Sequence, residues 1–481
     1  MISFFFKSTY LKVGAILAWL FLAVGGLLLY TGSSLIYILF SAVFLCLLVD
    51  GLFRRISLAY TFLVIFLWLG FWVKLVLHLW LGHPYLEPVG YFDEIGKSWD
   101  AVLVVSTVGI IGVLLAKIFA SNYVKRRAWG NEIVNYAPRW YPFARPWLWA
   151  GTWVAVIILP AANLLYGIAR VGLLPTLILP WPLNGLYAWF MGFGLAALVA
   201  TLAYWDHSIR RGWGMGLAGI LGEGFLSSVS SLSRATYIFS TLPYLIVLYT
   251  KRFQISKVGR KVKLWIGFLW LSLLAFSLVL VMILRYSDIS SIDASANKPI
   301  TFIGNKSLTE TGSTVPFKMV KLISQLFVER WIGLEGVMSI VSYPKKSNEL
   351  FIQALKERRV RGKIDLYTLE IARAGLSDSD AEKFQYATIP GGIAFFYYTG
   401  SLLFVLVGMA SLTCLMLFLE RAAVFLTHNP YLCALWSMSI AQAAASFGLG
   451  VGQTAIYYLV CFSAMVFIWI LQKISPAAKL H

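Results

Sequence analysis

The sequence predicts an all-α polytopic membrane protein with about twelve transmembrane helices and one large, mostly helical external loop. Three observations carry this. Of the 481 residues, 59% are hydrophobic and only 13% charged, whereas a soluble globular chain is near a quarter charged. The apolar residues fall in runs long enough to cross a hydrocarbon core of about 30 Å, separated by short polar breaks. One segment, 286–390, departs from this pattern and carries 14 Lys/Arg and 12 Asp/Glu.

The apolar runs lie at 13–30, 34–51, 57–78, 99–120, 147–167, 184–205, 212–230, 235–250, 264–284, 392–418, 430–448 and 452–472. The chain therefore divides into helices one to nine (1–285), an external loop domain (286–390) and helices ten to twelve (391–481). The first run has no small-residue cleavage site and further apolar runs follow at once, so it reads as a retained helix rather than a signal peptide. The eighth run is short. The tenth is long enough to tilt or to extend past the bilayer. Gly448, Gly450 and Gly452 suit a tight reversal between the last two. Aromatic residues are plentiful, as membrane-interface belts require.

Charge sets the orientation. Arg54-Arg55, Lys125-Arg126-Arg127, Arg210-Arg211 and Lys251-Arg252 all follow even-numbered runs, as do Arg421 and Lys473. The positive-inside rule then places both termini in the cytoplasm and 286–390 outside, which in a bacterial inner membrane means the periplasm. The net charge of +19 is attributed to these loops and to anionic lipid headgroups, not to nucleic acid. Cys46, Cys414, Cys433 and Cys461 lie in or beside apolar runs and form no metal-ligand pattern. There is no glycine-rich phosphate loop or dinucleotide turn. No cofactor is expected, and energy for any reaction must arrive with the substrate or from an ion gradient.

Within the loop, residues 287–314 are rich in Ser, Thr, Asn and Gly and read as irregular. Apolar spacing predicts a helix over 315–341, ended by Pro344. A second helix is predicted over 348–358 with Ser347 as its cap. A third covers 364–374, and Ser379-Asp380-Ala381-Glu382 has capping-box spacing for a short fourth turn.

Arg330 is the first candidate for chemistry. It lies in Glu329-Arg330-Trp331-Ile332-Gly333-Leu334-Glu335-Gly336, where glycines permit close backbone approach to a ligand. A guanidinium fork suits phosphate or carboxylate; the plainer reading is an ion pair with Glu329 or Glu335. Arg234 is the second. Five of the seven residues before it are Ser, so hydroxyl donors accompany it, although a lone arginine at a helix end also snorkels. Glu223, between Gly222 and Gly224, is a carboxylate inside an apolar run and should face a cavity or a partner. It is open to roles as a general base, as an orienting group for an arginine, or as the partner of Lys74 or Lys117. Asp93 and Glu94 form an acidic pair suited to a site beside a lipid phosphate, or are simply solvated. His78 and His83 flank the end of the third run and are potential bases. Lys74 lies about one helical turn (~5.4 Å) inside that end, in reach of a phosphate.

The arrangement resembles the O-antigen polymerase family, the oligosaccharide repeat unit polymerases. The matching pieces are Leu232-Ser233-Arg234-Ala235, the stretch Val328–Gly336, and Pro390-Gly391-Gly392 entering the tenth run. The resemblance implies polymerisation of undecaprenyl-diphosphate-linked repeat units into a surface polysaccharide at the periplasmic face. It implies that Arg234 and Arg330 bind the donor diphosphate or incoming glycan, and that Glu223 or Glu335 takes the acceptor proton. Lys74, His83, Asp93, Glu94 and Trp331 are then substrate-binding candidates. The implied partners are the polyprenyl-diphosphate-linked oligosaccharide, membrane lipids and a chain-length regulator. Three other readings stay open. An O-antigen ligase uses the same donor, but its usual external histidine has no counterpart in 286–390. Another lipid-linked glycosyltransferase would work through Asp93 and Glu94. A transporter or glycan flippase predicts paired helix interruptions near the midplane, and the sequence displays none.

Overall fold

The computed structural model describes residues 9–53, 57–82, 85, 87–125, 137–249, 259–296, 331–360, 362–374 and 388–474. Among these the regular structure is helical, without strands. Eight helices are long and apolar enough to cross a membrane: Ser34–Leu52, Leu58–Leu81, Gly96–Ala120, Tyr141–Tyr166, Leu183–Ser208, Lys261–Arg285, Leu402–Thr427 and Val451–Lys473.

In chain order, α1 (Thr9–Leu29) and α2 (Ser34–Phe53) precede a continuous helix in three parts. These are α3 (Leu58–Leu67), a π-helical turn at Trp68–Val73 and α4 (Lys74–Leu81). Next come α5 (Gly96–Lys125), α6 (Tyr141–Tyr166) and a second helix of this kind. It consists of α7 (Leu183–Trp189), a π-helical turn at Phe190–Gly194 and α8 (Leu195–Ser208). The shorter α9 (Gly214–Ser230) and α10 (Arg234–Tyr249) form a hairpin, and α11 (Arg260–Ala296) comes next. The described part of 286–390 contributes α12 (Leu334–Ser342), α13 (Asn348–Lys356) and a π-type turn at Tyr367–Ile371. The chain ends with α14 (Gly392–Phe396), α15 (Leu402–Thr427), α16 (Pro430–Ala445) and α17 (Val451–Ile474).

The helix ends obey local chemistry. Ser57 caps α3 by accepting from the Tyr60 amide, and Ser347 caps α13 by accepting from Leu350, as its sequence position predicts. Asn429 accepts from the amides of Tyr431 and Leu432, with Pro430 in the first turn of α16. Gly82 and Gly167 close α4 and α6 in the left-handed conformation. Gly448 and Gly450 also take positive φ, in the reversal between α16 and α17.

Several expectations need correction. The tenth apolar run is not one helix from 392. It is α14, a short 3₁₀ turn, then α15 from Leu402, because Gly400 at φ 75° ends the first piece and Ser401 caps the second. A single helix over 315–341 is also not formed. Residues 331–333 are non-helical and α12 begins only at Leu334. The start of the stretch expected to be irregular, 287–296, instead continues α11. The expected third helix is a short π-type turn. The rest of the expected 315–341 helix, residues 297–314 and the turn at 379–382 lie outside the described residues.

Burial separates centre from periphery. About two thirds (67%) of the apolar windows of Leu58–Leu81 and Leu183–Ser208 is buried, against 17% for Lys261–Arg285 and 11% for Val451–Lys473. The exposed faces of these last two are apolar, with Leu264, Trp265, Phe268, Ile456 and Leu459 all exposed; a lipid-facing helix has this character. The centre is tied by buried ionic groups that apolar surroundings make costly unless partnered. Lys117 pairs with Asp50, which also accepts from Tyr60. Arg145 grips Asp206 through two donors, and Tyr141 and Trp149 donate to the same carboxylate.

Candidate functional site

The segment from Trp331 to Ser342 sinks into the helical body. Gly70, in the middle of the helix Leu58–Leu81, faces the backbone carbonyl of Ile332, and a Cβ on Gly70 would collide with it. Gly333 in turn lies against the Gly70 carbonyl and the Phe71 ring. This reciprocal approach of two backbones needs glycine on both sides. Further along, Gly336 packs on the carbonyl of Pro390, so a third glycine seats α12 against the stretch of chain that leads into α14. All residues of α12 from Leu334 to Ile340 are buried. Gly336→Ala is expected to weaken this docking by roughly 1–3 kcal/mol through overpacking. Thermal unfolding in detergent checks it against Gly452→Ala, where a Cβ meets nothing within 4 Å.

The docked segment makes one buried ion pair. Glu335, in the first turn of α12, accepts from Lys74 Nζ at 2.5 Å, and the two side chains are 5% and 1% exposed. The π-helical turn at Trp68–Val73 inserts one residue into the ladder and so rotates the helix beyond it. That rotation sets the face carrying Lys74 and, one turn on, His78. The His78 ring stacks on Tyr85 with centroids 3.7 Å apart. Ser339, one turn after Glu335, donates to the Glu335 carbonyl and reaches Pro88 O at 3.3 Å. The Tyr367 hydroxyl approaches Ser339 Oγ at 3.5 Å. Burial first, then the nearby carboxylates of Glu335, Glu87 and Asp365, push the Tyr367 phenol well above its ordinary range. The Tyr367 turn is held by Asp365, which accepts from the amide and hydroxyl of Thr368. Lys346 Nζ donates to three carbonyls at the end of α12, those of Ile340, Val341 and Tyr343. Burial lowers its ammonium below the usual lysine range.

Trp331 links this cluster to the hairpin. Its ring stacks on Phe66 at 5.8 Å, and Phe66 meets Phe239 of α10 edge-on at 5.9 Å. Arg234 is half-buried and opens α10. The turn before it is fixed by Leu232 at φ 55°, by a Ser233 amide bond to Ser228 O and by Ser228 Oγ donating to Ser233 O. The hairpin is tied to α6 by Asn163, which donates to Ser230 O.

The other sequence candidates fall elsewhere. Arg330 and His83 lie outside the described residues. Asp93 and Glu94 are exposed; hydrogen bonds from Ser98 and from the Ile95 amide hold the Asp93 carboxyl below the usual range. Glu223 pairs with neither Lys74 nor Lys117, since those lysines meet Glu335 and Asp50; its one described bond is from Ser227, 3.0 Å away. Lys74, Glu335 and Trp331 are brought together, Glu335 and Lys74 by direct contact and Trp331 through the same docked segment. Sequence reasoning missed Tyr367 and Ser339. Neither carries a local motif, and only docking of two loop pieces on one another brings them together. Among the described residues no group of His, Cys, Asp and Glu is arranged to hold a metal ion.

Comparison with family models, with curated proteins and with solved structures finds no match to this chain.

Proposed function

We propose that the chain is a nucleotide-independent membrane glycosyltransferase that polymerises polyprenyl-diphosphate-linked oligosaccharide repeat units. In this reading twelve helices span a bacterial inner membrane, both termini are cytoplasmic, and 286–390 works at the periplasmic face. The carrying observation is the docking of Trp331–Ser342 into the body beside Phe66 and Phe239, in the neighbourhood of the helix that Arg234 opens. Arg330 precedes Trp331 in the chain, and Arg234 opens the helix that carries Phe239.

In the proposed reaction the bond from the anomeric carbon of the donor glycan to its diphosphate breaks. The acceptor hydroxyl oxygen forms the new glycosidic bond and loses its proton to a carboxylate. Arg234 and Arg330 offset the charge that develops on the departing diphosphate. The Lys74–Glu335 pair holds the segment in place. Arg234→Ala and Arg330→Ala are each expected to abolish polymer while single repeats still reach the surface; Lys at either position recovers part at most, since it lacks the planar fork. Gel analysis of surface glycan in a host lacking the wild-type gene reads this out. Unchanged polymer with both alanine variants overturns the proposal.

A transporter or flippase is the second reading. Two of the most buried helices, Leu58–Leu81 and Leu183–Ser208, each carry a π-helical turn within a continuous span, and such turns are frequent at functional sites. Loss of single repeats from the surface in the arginine variants would favour this reading.

A further inference from the structure

Glu223 sits within α9 and is 1% exposed. Oε1 accepts from Ser227 Oγ at 3.0 Å. Oε2 is buried and has no hydrogen-bond partner among the described residues. Gly224, the next residue, brings α10 close: a Cβ there would meet Thr241, the Tyr237 ring and Ser240 Oγ. Ser240 Oγ is near the Glu223 carboxyl but makes no hydrogen bond to Oε2, and it donates to Thr236 O at 3.0 Å. No donor among the described residues reaches Oε2, so an ionised carboxylate would hold its charge there unanswered.

Among the described residues, no cation offsets a charge at this position. Of the described titratable and charged groups on the helices packed against α9, most are engaged elsewhere, and Tyr166 of α6 and Lys261 of α11 are exposed. On α6 and α8, Arg145 and Asp206 hold one another, and Tyr141 donates to Asp206. His207 and Tyr204 complete α8. On α10, Tyr237 donates to Trp270 O, Tyr249 to Lys263 O, and Tyr244 stacks on Tyr431. Arg234 stands at the start of α10, across the turn. On α11, Arg285 donates to Val171 O and Lys263 to Tyr249 O. A lone buried ionic charge is so costly that the group neutralises instead.

Glu420 makes the contrast within the same molecule. It is comparably buried, but its carboxylate accepts from the amides of Leu58 and Ala59 at the start of α3 and from Ser57 and Ser437. Every donor there requires an acceptor. At Glu223, Oε2 meets no donor among the described residues.

We propose that Glu223 is a reversible proton-binding site inside the helical body, with its proton carried on Oε2, the oxygen that no donor among the described residues reaches. Release leaves the carboxylate and passes the proton to water or to an acceptor on a bound molecule; uptake reverses this. Such a site serves a glycosyl transfer as a proton acceptor and serves a transporter as a coupling group, so it stands apart from the choice between those functions.

The test is infrared difference spectroscopy of the purified full chain in lipid nanodiscs, titrated with pH and repeated in D₂O. A carboxylic-acid carbonyl band is expected that weakens as pH rises and shifts in D₂O. It should vanish in Glu223→Gln and persist in Glu420→Gln. Glu223→Gln should unfold at the wild-type temperature, because its amide is neutral as the acid is and its carbonyl oxygen still accepts from Ser227. No such band in the wild type, a band unchanged by Glu223→Gln or removed by Glu420→Gln, or a marked fall in the unfolding temperature of Glu223→Gln would each overturn the proposal. None of these readings depends on transferase or transport activity.

Discussion

Lys74→Met should destabilise the folded protein by about 3–5 kcal/mol, because it strands the Glu335 carboxylate in a site where that side chain is 5% exposed. Glu335→Leu should cost a similar amount by stranding the ammonium. The double variant Lys74→Met/Glu335→Leu should recover most of the loss, since apolar side chains of similar size replace a buried pair at little net cost. Unfolding of the four proteins in detergent gives the coupling energy directly. Additive losses would mean that the pair does not hold the docked segment. The pair joins residues far apart in the chain, so its loss should also free Trp331–Ser342 from the body. Increased proteolysis between 331 and 342 in the single variants reports that release.

Glu420→Leu should cost about 3 kcal/mol or more, because it leaves buried donors unsatisfied at about 1–3 kcal/mol each. The donors are the Leu58 and Ala59 amides and the hydroxyls of Ser57 and Ser437. A carboxylate at the N-terminal end of α3 also meets the positive end of the helix dipole. Glu420→Gln should cost less, since its carbonyl oxygen still accepts from part of the set. Thermal unfolding of both variants measures the difference. Equal stability of Glu420→Leu and wild type would show that water or neighbouring groups replace the carboxylate.

The candidate site was legible in parts. Lys74, Glu335 and Trp331 stand out in the sequence because charged or large polar-edged residues interrupt apolar surroundings, and the structure gathers them where Trp331–Ser342 docks on the body. Their pairing was not legible: Glu335 suggests a partner for Arg330 and Lys74 a donor to phosphate, yet they meet each other. The helix through 331–333 was misleading for a related reason. Apolar spacing over 315–341 continues across Trp331, but the mutual approach of Gly70 and Gly333 requires a bent backbone there. The tenth run reads as one long helix because Gly400 and Ser401 are a short signal inside an apolar stretch. Left-handed glycine and a serine cap outweigh hydrophobic continuity.

Taken alone, the order of residues determined that this chain is a bundle of apolar helices, roughly where most of them begin and end, and which polar side chains are lodged among them. Those properties arise from transfer out of water and from local capping, both of which act over one or two helical turns. Only the tertiary structure decided which buried charge answers which, that residues 331–342 enter the body instead of lying over it, and that one oxygen of Glu223 faces no donor among the described residues. These depend on shape complementarity between helices distant in sequence, where three glycines and one π-helical turn set the approach, and no local pattern encodes that geometry.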